Sequence, residues 1–204
     1  MSPMTRERLW NGWGMCERHA WGFIAVETAF RGFYLMGPAI LYEDLMHRAL
    51  VKFSNQGFLK PWRVQKGLNH RGPCMMCEMK YGQNSKGAAG PELLEKGRNL
   101  IEIQTFAQKT YRYWKKTVCG RCAGNSSIHR CRRHLIESIS KGRVSDLSFH
   151  GNVVDYIARH IKTYMLSFRW ENQGTETVED MAALISAVGW CSGWKPLFSI
   201  MEAT

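Results

Sequence analysis

Eight residues with soft-ligand side chains fall into four pairs of identical internal spacing. They are Cys16-Glu-Arg-His19, Cys74-Met-Met-Cys77, Cys119-Gly-Arg-Cys122 and Cys131-Arg-Arg-His134. Two donors separated by two residues sit one tight turn apart. Tetrahedral zinc is built from two such pairs, with bonds of about 2.3 Å to sulfur and about 2.0–2.1 Å to nitrogen. Six cysteines and two histidines are the complement of two sites, each with three cysteines and one histidine. Two structural zinc ions are therefore expected.

Which pair joins which is a question of chain closure. The local choice joins Cys119, Cys122, Cys131 and His134 through a short loop of low closure cost, and one turn of helix after Cys131 can present both Cys131 and His134. Cys16, His19, Cys74 and Cys77 then form the second set. Closure favours this choice. The swapped choice, Cys74 and Cys77 with Cys131 and His134, and Cys16 and His19 with Cys119 and Cys122, stays open on sequence alone.

Three thiolates and an imidazole close a zinc site, and closed sites are normally structural; catalytic zinc keeps a position open for water. The zinc deaminase pattern, His-x-Glu with Cys-x-x-Cys, is not present. An iron–sulfur cluster ordinarily takes four cysteines, so the two histidines count against it. Glu17 lies between two ligands and reads as a solvated residue.

Other residues carry weaker signals. Glu43 and His47 share a helix face at i, i+4 spacing, a pairing suited to acid–base work. His150 and His160 lie ten residues apart on one expected helix, and Asp155 with Arg159 makes an ordinary exposed pair. Cys191, in "GWCSGWKPLF", has no identifiable histidine partner and is expected to be a buried structural thiol. No nucleotide-binding glycine loop and no Gly-x-Ser-x-Gly elbow occurs.

Net charge is +11, from 28 Lys and Arg against 17 Asp and Glu. A pI near 9.5 suits an acidic partner, either nucleic acid or a protein surface. The cations Lys115, Lys116, Arg121, Arg130, Arg132 and Arg133 flank one motif loop and are the candidate contacts. "RYWKK" interleaves rings with cations, as single-strand binders do, although Trp114 in the core with cations outside is the commoner arrangement. Mean hydropathy is −0.33. No apolar run reaches the roughly 18–20 residues of a membrane span. "MSPMTRERLWNGW" has no charged-then-apolar leader pattern, and cysteines grouped as ligands suit a reducing compartment, so a cytoplasmic protein is expected.

The elements that must position the ligands read as helices. One is expected from Cys16 to about residue 36, with Phe23, Val26, Phe30 and Phe33 as its apolar face, interrupted by Gly37-Pro38. The next runs over 38–53, with Ile40, Leu41, Leu45, Leu50 and Val51 as its stripe. Residues 54–90 read as loop. Pro91 opens a long helix to about residue 116, with Leu94, Ile101, Phe106 and Tyr113 apolar and Gly97 a mild weakness. A short helix follows Cys131. Asp146 caps a helix to about residue 170, Gly174 breaks it, and Thr175 or Thr177 caps the next, which Gly189 closes. The apolar "WCSGWKPLFSIM" is expected to fold back onto the core.

The stretch "GMCERHAWGFIAVETAFRGFYLMGPAILYEDLMHRAL", about residues 14–50, resembles a segment of an uncharacterised bacterial domain family of unknown function. That family is helical and alternates Cys-x-x-Cys with Cys-x-x-His units. The resemblance implies that Cys16, His19, Cys74, Cys77, Cys131 and His134 take its ligand places. This chain departs from the family in lacking a Cys-x-x-Cys before Cys16 and in carrying the extra pair Cys119 and Cys122. The resemblance brings no activity with it.

Together these observations predict an all-α protein, an irregular bundle of about six helices stapled by two zinc sites. They predict one domain over 1–204, with 1–90 and 91–204 as possible lobes sharing a core. The expected function is that of a zinc-stabilised helical binding protein with an acidic partner. The alternatives are an enzyme or small-molecule binder with an aromatic- and Met-lined pocket, and a small subunit of a larger assembly.

Overall fold

The structure is a computed structural model and describes residues 3–54, 60–69, 72–80, 89–143 and 146–203. Among these residues it is all-helical, without strands. The helices are α1 (Pro3–Asn11), α2 (Glu17–Arg31), α3 (Met36–Phe53), α4 (Lys60–Leu68), α5 (Met75–Glu78) and α6 (Pro91–Gly97). They continue with α7 (Ile101–Trp114), α8 (Gly120–Ala123), α9 (Arg132–Ser140), α10 (Leu147–Leu166), α11 (Val178–Ser192) and α12 (Lys195–Glu202). Single 3-10 turns cover Lys115–Thr117 and Trp170–Asn172. The expected count of about six is therefore too low. The segment 54–90 contains α4 and α5, and α5 and α8 are single turns too short for a periodic signal.

Helix α11 is the centre of the fold. Every residue from Asp180 to Cys191 is buried, so this helix is apolar on all sides and must be surrounded. Helices α3, α7 and α10 surround it, with α3 also packed along α10. Helix α2 lies across α7, and α12 closes over α2 and α7. Trp13, Trp21, Trp190 and Trp194 are fully buried in one core that runs from Leu9 to Leu197. Thr117 and Ser186 satisfy each other inside it at 3.0 Å.

The expected caps on α10 and α11 are found. Asp146 accepts from the amides of Ser148 and Phe149 at 2.9 and 3.1 Å. Thr177, rather than Thr175, starts α11 in a reciprocal capping box with Asp180. Other expectations need correction. The first helix ends at Gly32, with φ of 57°, and Pro38 sits inside the first turn of α3, where its missing N–H costs nothing. The helix from Pro91 breaks at 98–100 because the Asn99 side chain accepts from the amide of Ile101 and starts a new helix.

Gly189 does not close α11. The Trp194 indole lies 2.3 Å from where its Cβ would stand, so the glycine admits the ring and the helix continues to Ser192. The apolar face of α2 is Ala20, Trp21, Ile24, Ala25 and Thr28. Val26 and Phe30 lie on its more exposed side, against Gly97 of α6. Leu94, Ile101 and Val51 are exposed, contrary to expectation.

Candidate metal centres

All four ligand pairs are built in the same way. The first cysteine of each pair is the N-cap of a helix, in extended backbone, and the second ligand lies in the first turn. Cys16 and His19 begin α2, Cys74 and Cys77 begin α5, Cys119 and Cys122 begin α8, and Cys131 and His134 begin α9. A helix N-terminus stabilises negative charge, so each thiol is placed where its thiolate is favoured.

The fold brings the pairs together in the local combination. Cys16, His19, Cys74 and Cys77 form one cluster, and Cys119, Cys122, Cys131 and His134 the other; within each, all donor atoms lie within 4.8 Å of one another. In the N-terminal cluster His19 Nδ1 is 3.3, 3.7 and 3.4 Å from the sulfurs of Cys16, Cys74 and Cys77. In the C-terminal cluster His134 Nδ1 is 3.2, 3.4 and 3.3 Å from those of Cys119, Cys122 and Cys131. The sulfurs of Cys16 and Cys77, and those of Cys122 and Cys131, are 3.8 Å apart.

These separations can be compared with a zinc tetrahedron. Bonds of about 2.3 and 2.05 Å give edges of about 3.8 Å between sulfurs and about 3.5 Å between sulfur and nitrogen. Both clusters match those edges. A disulfide needs about 2.05 Å, so the cysteines are free. Both donor sets fit a tetrahedral soft cation, and zinc suits three thiolates and an imidazole.

Without a cation the thiols compete for one negative charge. Hydrogen bonds from Cys122 and Cys131 pull Cys119 far down, and the same contacts push Cys131 far up and Cys122 up to about 11. Burial alone would raise Cys74, but hydrogen bonds from the backbone of Cys16 and Cys77, and from His19, bring it down to about 6. Cys77 is pushed up to about 11 by desolvation and by its neighbouring thiols. A divalent cation would remove this conflict by letting all three ionise.

The surroundings of the two clusters differ. Cys119 and Cys131 are buried, whereas Cys77 is exposed. The C-terminal loop is tightly tied: Gly120 N donates to His129 O, Asn125 N to Gly120 O, and Arg130 Nη1 to the carbonyls of Ser127 and His129. A Cβ on Gly120 would stand 2.2 Å from Ser127 O. At the N-terminal cluster Glu17 Oε1 accepts from Lys195 N, and Trp21 Nε1 donates to Gly193 O, which fixes α2 on the start of α12. A cavity of about 300 Å³ lies between the N-terminal cluster and α9, lined by Cys16, Glu17, Cys74, Arg132, Arg133 and Ile136 among others.

The candidate cations do not form one patch. Arg132 is buried, which corrects its assignment as a surface contact. Its Nε donates to Cys191 O at 3.0 Å and its Nη1 to Leu68 O at 2.8 Å. Arg121 pairs with Glu137 at 2.7 Å, and Arg130 serves the loop carbonyls. Lys115, Lys116 and Arg133 are exposed and form no ion pair among the described residues. The two lysines stand over the rings of Tyr111 and Tyr113, while Trp114 is in the core.

The remaining sequence candidates separate in the same way. No ion pair joins Glu43 to His47, and Asp44 instead pairs with Arg6. Cys191 is buried, and burial pushes its thiol up to about 12, which makes it inert. Asp155 pairs with Arg159 at 2.8 Å, as expected. The sequence did not reveal that His160 Nδ1 lies 2.7 Å from Asp180 Oδ1, or that Tyr156 donates to Glu179 at 2.6 Å. Those partners belong to the next helix, and no local spacing signals them.

Family models, curated proteins and solved structures give no match to this chain. The resemblance over residues 14–50 therefore carries no argument beyond the sequence.

Proposed function

We propose that the protein is a helical binding protein whose two Cys3His centres each hold a structural zinc ion, and whose partner is acidic. The observation that carries the metal is the agreement of two independent donor sets with the edges of a zinc tetrahedron. The four-ligand sets leave no coordination position for substrate, which supports a structural rather than catalytic ion. Zinc with three thiolates leaves a net charge of about −1 per centre, less than the cations around the C-terminal loop supply. Lys115, Lys116 and Arg133 are the side chains available to phosphates or to carboxylates of a partner.

Two measurements test this. Elemental analysis of protein purified without added metal should give two zinc ions per chain; absence of metal, or iron alone, rejects the proposal. Mobility shifts at low salt should detect RNA or single-stranded DNA, with log affinity falling at roughly −0.7 per phosphate contact against log salt. Replacement of Lys115, Lys116 and Arg133 by Ala should abolish the shift. No shift with any nucleic acid moves the partner to an acidic protein surface.

A further inference from the structure

On a face separate from the metal centres, four aromatic residues and one carboxylate converge. Phe33 and Tyr34 come from the link between α2 and α3, Phe168 from just beyond α10, Trp170 from the 3-10 turn, and Glu176 from the loop before α11. They line a cavity of about 410 Å³. We propose that this cavity binds an organic ammonium cation carrying at least one N–H.

The walls are fixed. The rings of Tyr34 and Phe168 meet edge to face, with centroids 5.0 Å apart and planes at 77°. Tyr164 packs on Phe168 at 5.0 Å and donates to Phe33 O at 3.0 Å, and Ser167 Oγ donates to Tyr164 O at 2.7 Å. Trp170 is set on its turn by backbone bonds from Arg169 to Leu166 and from Asn172 to Arg169.

Two features of this wall have no internal explanation. Trp170 is 84% exposed, whereas Trp13, Trp21, Trp190 and Trp194 are buried. A large ring held out by a fixed backbone is a contact surface in waiting. Glu176 Oε2 is buried and makes no hydrogen bond, and no ion pair to Glu176 occurs among the described residues. A buried carboxylate oxygen without a donor costs stability until a donor arrives. That this happens in a chain of net charge +11 is notable, because cations are plentiful.

The chemistry selects the ligand. Ring faces carry negative quadrupole density and attract cations within about 6 Å of the centroid. The Glu176 carboxylate lines the same cavity, where its other oxygen can accept an N–H and its charge offsets that of the ligand. A neutral ligand can donate to the carboxylate but gains nothing from the ring quadrupoles or from charge cancellation, and an anion is repelled by both. Lys109 Nζ stands 5.3 Å from the Phe33 ring centroid without lining this cavity, so Phe33 already takes one ammonium elsewhere. Tyr34, Phe168 and Trp170 remain for another. The source is either a small free amine or a lysine side chain of a peptide; both present the same head group.

The test is titration of the zinc-loaded full chain, followed by calorimetry and by the indole N–H signal of Trp170 in ¹H–¹⁵N spectra, assigned with Trp170→Phe. The probes are butylammonium, tetramethylammonium, 1-butanol, and a glycine-flanked peptide with one central lysine. Butylammonium should saturate and move the Trp170 signal, tetramethylammonium should bind more weakly because it offers no N–H, and 1-butanol should not bind. Trp170→Ala and Glu176→Gln should each weaken butylammonium by about tenfold, the scale of one desolvated cation–π contact. Trp170 is exposed, so Trp170→Ala should leave the unfolding temperature near that of the parent. A peptide that binds more tightly than butylammonium assigns a lysine side chain, and one that binds more weakly assigns a free amine. No saturable binding of either, or equal binding by 1-butanol or by both variants, overturns the proposal.

Discussion

The two Cys3His clusters present the same donors in the same helical setting, yet they sit in different surroundings. The C-terminal cluster has Cys119 and Cys131 buried and is laced by backbone hydrogen bonds through the loop between its two pairs. The N-terminal centre is open at Cys77 and joins α2 to the short helix α5. The middle of each Cys-x-x-Cys pair records the difference. Gly120 is required because the returning loop passes where a Cβ would be, and Met75 holds the same place at the N-terminal centre. Identical donor sets are therefore placed in the core in one case and at the periphery in the other.

The strongest test of that difference is ligand removal. Cys131→Ser should cost about 4–5 kcal/mol or more, because it empties a buried site on which α8 and α9 are folded. Cys77→Ser should lower the unfolding temperature by clearly less. Equal losses in thermal unfolding would break the comparison. A chelator should release metal in two kinetic phases of equal amplitude, the faster from the N-terminal centre and missing in Cys77→Ser. A single phase, followed with a chromogenic chelator, would make the two centres equivalent.

The next effect is steric. Gly120→Ala should cost about 3 kcal/mol, since its Cβ meets a backbone carbonyl that cannot step aside. Met75→Ala should cost less in urea unfolding, because that side chain is only partly buried. Arginine neighbours give a smaller contrast. Arg132→Met leaves the carbonyls of Leu68 and Cys191 without their donor and should cost about 2 kcal/mol. Exposed Arg133→Met should stay within about 0.5 kcal/mol while weakening any acidic partner.

The last contrast is with pH. Burial, aided by the nearby charge of Arg130, holds His150 down at about 4, against an ordinary value of 6.5. The unfolded chain then binds a proton that the folded chain refuses. The stability contributed by neutral His150 is present above pH 6.5 and is lost as pH falls from 6.5 towards 4. His150→Gln should flatten that part of the profile relative to the parent measured under the same conditions.

The ligands were legible in the sequence because a metal site needs donors one turn apart, and that spacing is local. Loop length favoured the local pairing but left the swapped one open, and the structure groups the donors in the local way. Arg132 was not legible. It sits among surface-type cations in the chain, but its acceptors come from residues 68 and 191. The face of α2 was misread because the large rings at Phe23 and Phe30 outweigh Ala20 and Ala25 in a periodicity, although small residues are what allow α7 and α11 to approach. Helix α4 did leave a signal in Pro61, Val64 and Leu68, spaced for a first turn and one buried face, within a segment otherwise rich in turn formers.

The sequence separations within the two centres also bear on how the chain reaches its fold. Cys119 and His134 are 15 residues apart, whereas Cys16 and Cys77 are 61 apart. Closing the longer loop from a disordered chain costs about 1.2 kcal/mol more. After dilution from denaturant the C-terminal centre should therefore close first. On the ribosome the order is reversed, because residue 77 emerges before residue 119. The N-terminal donors then meet while α7 and α11, against which α2 finally rests, are still unmade. The order in which the two clusters close is therefore expected to differ between synthesis and refolding.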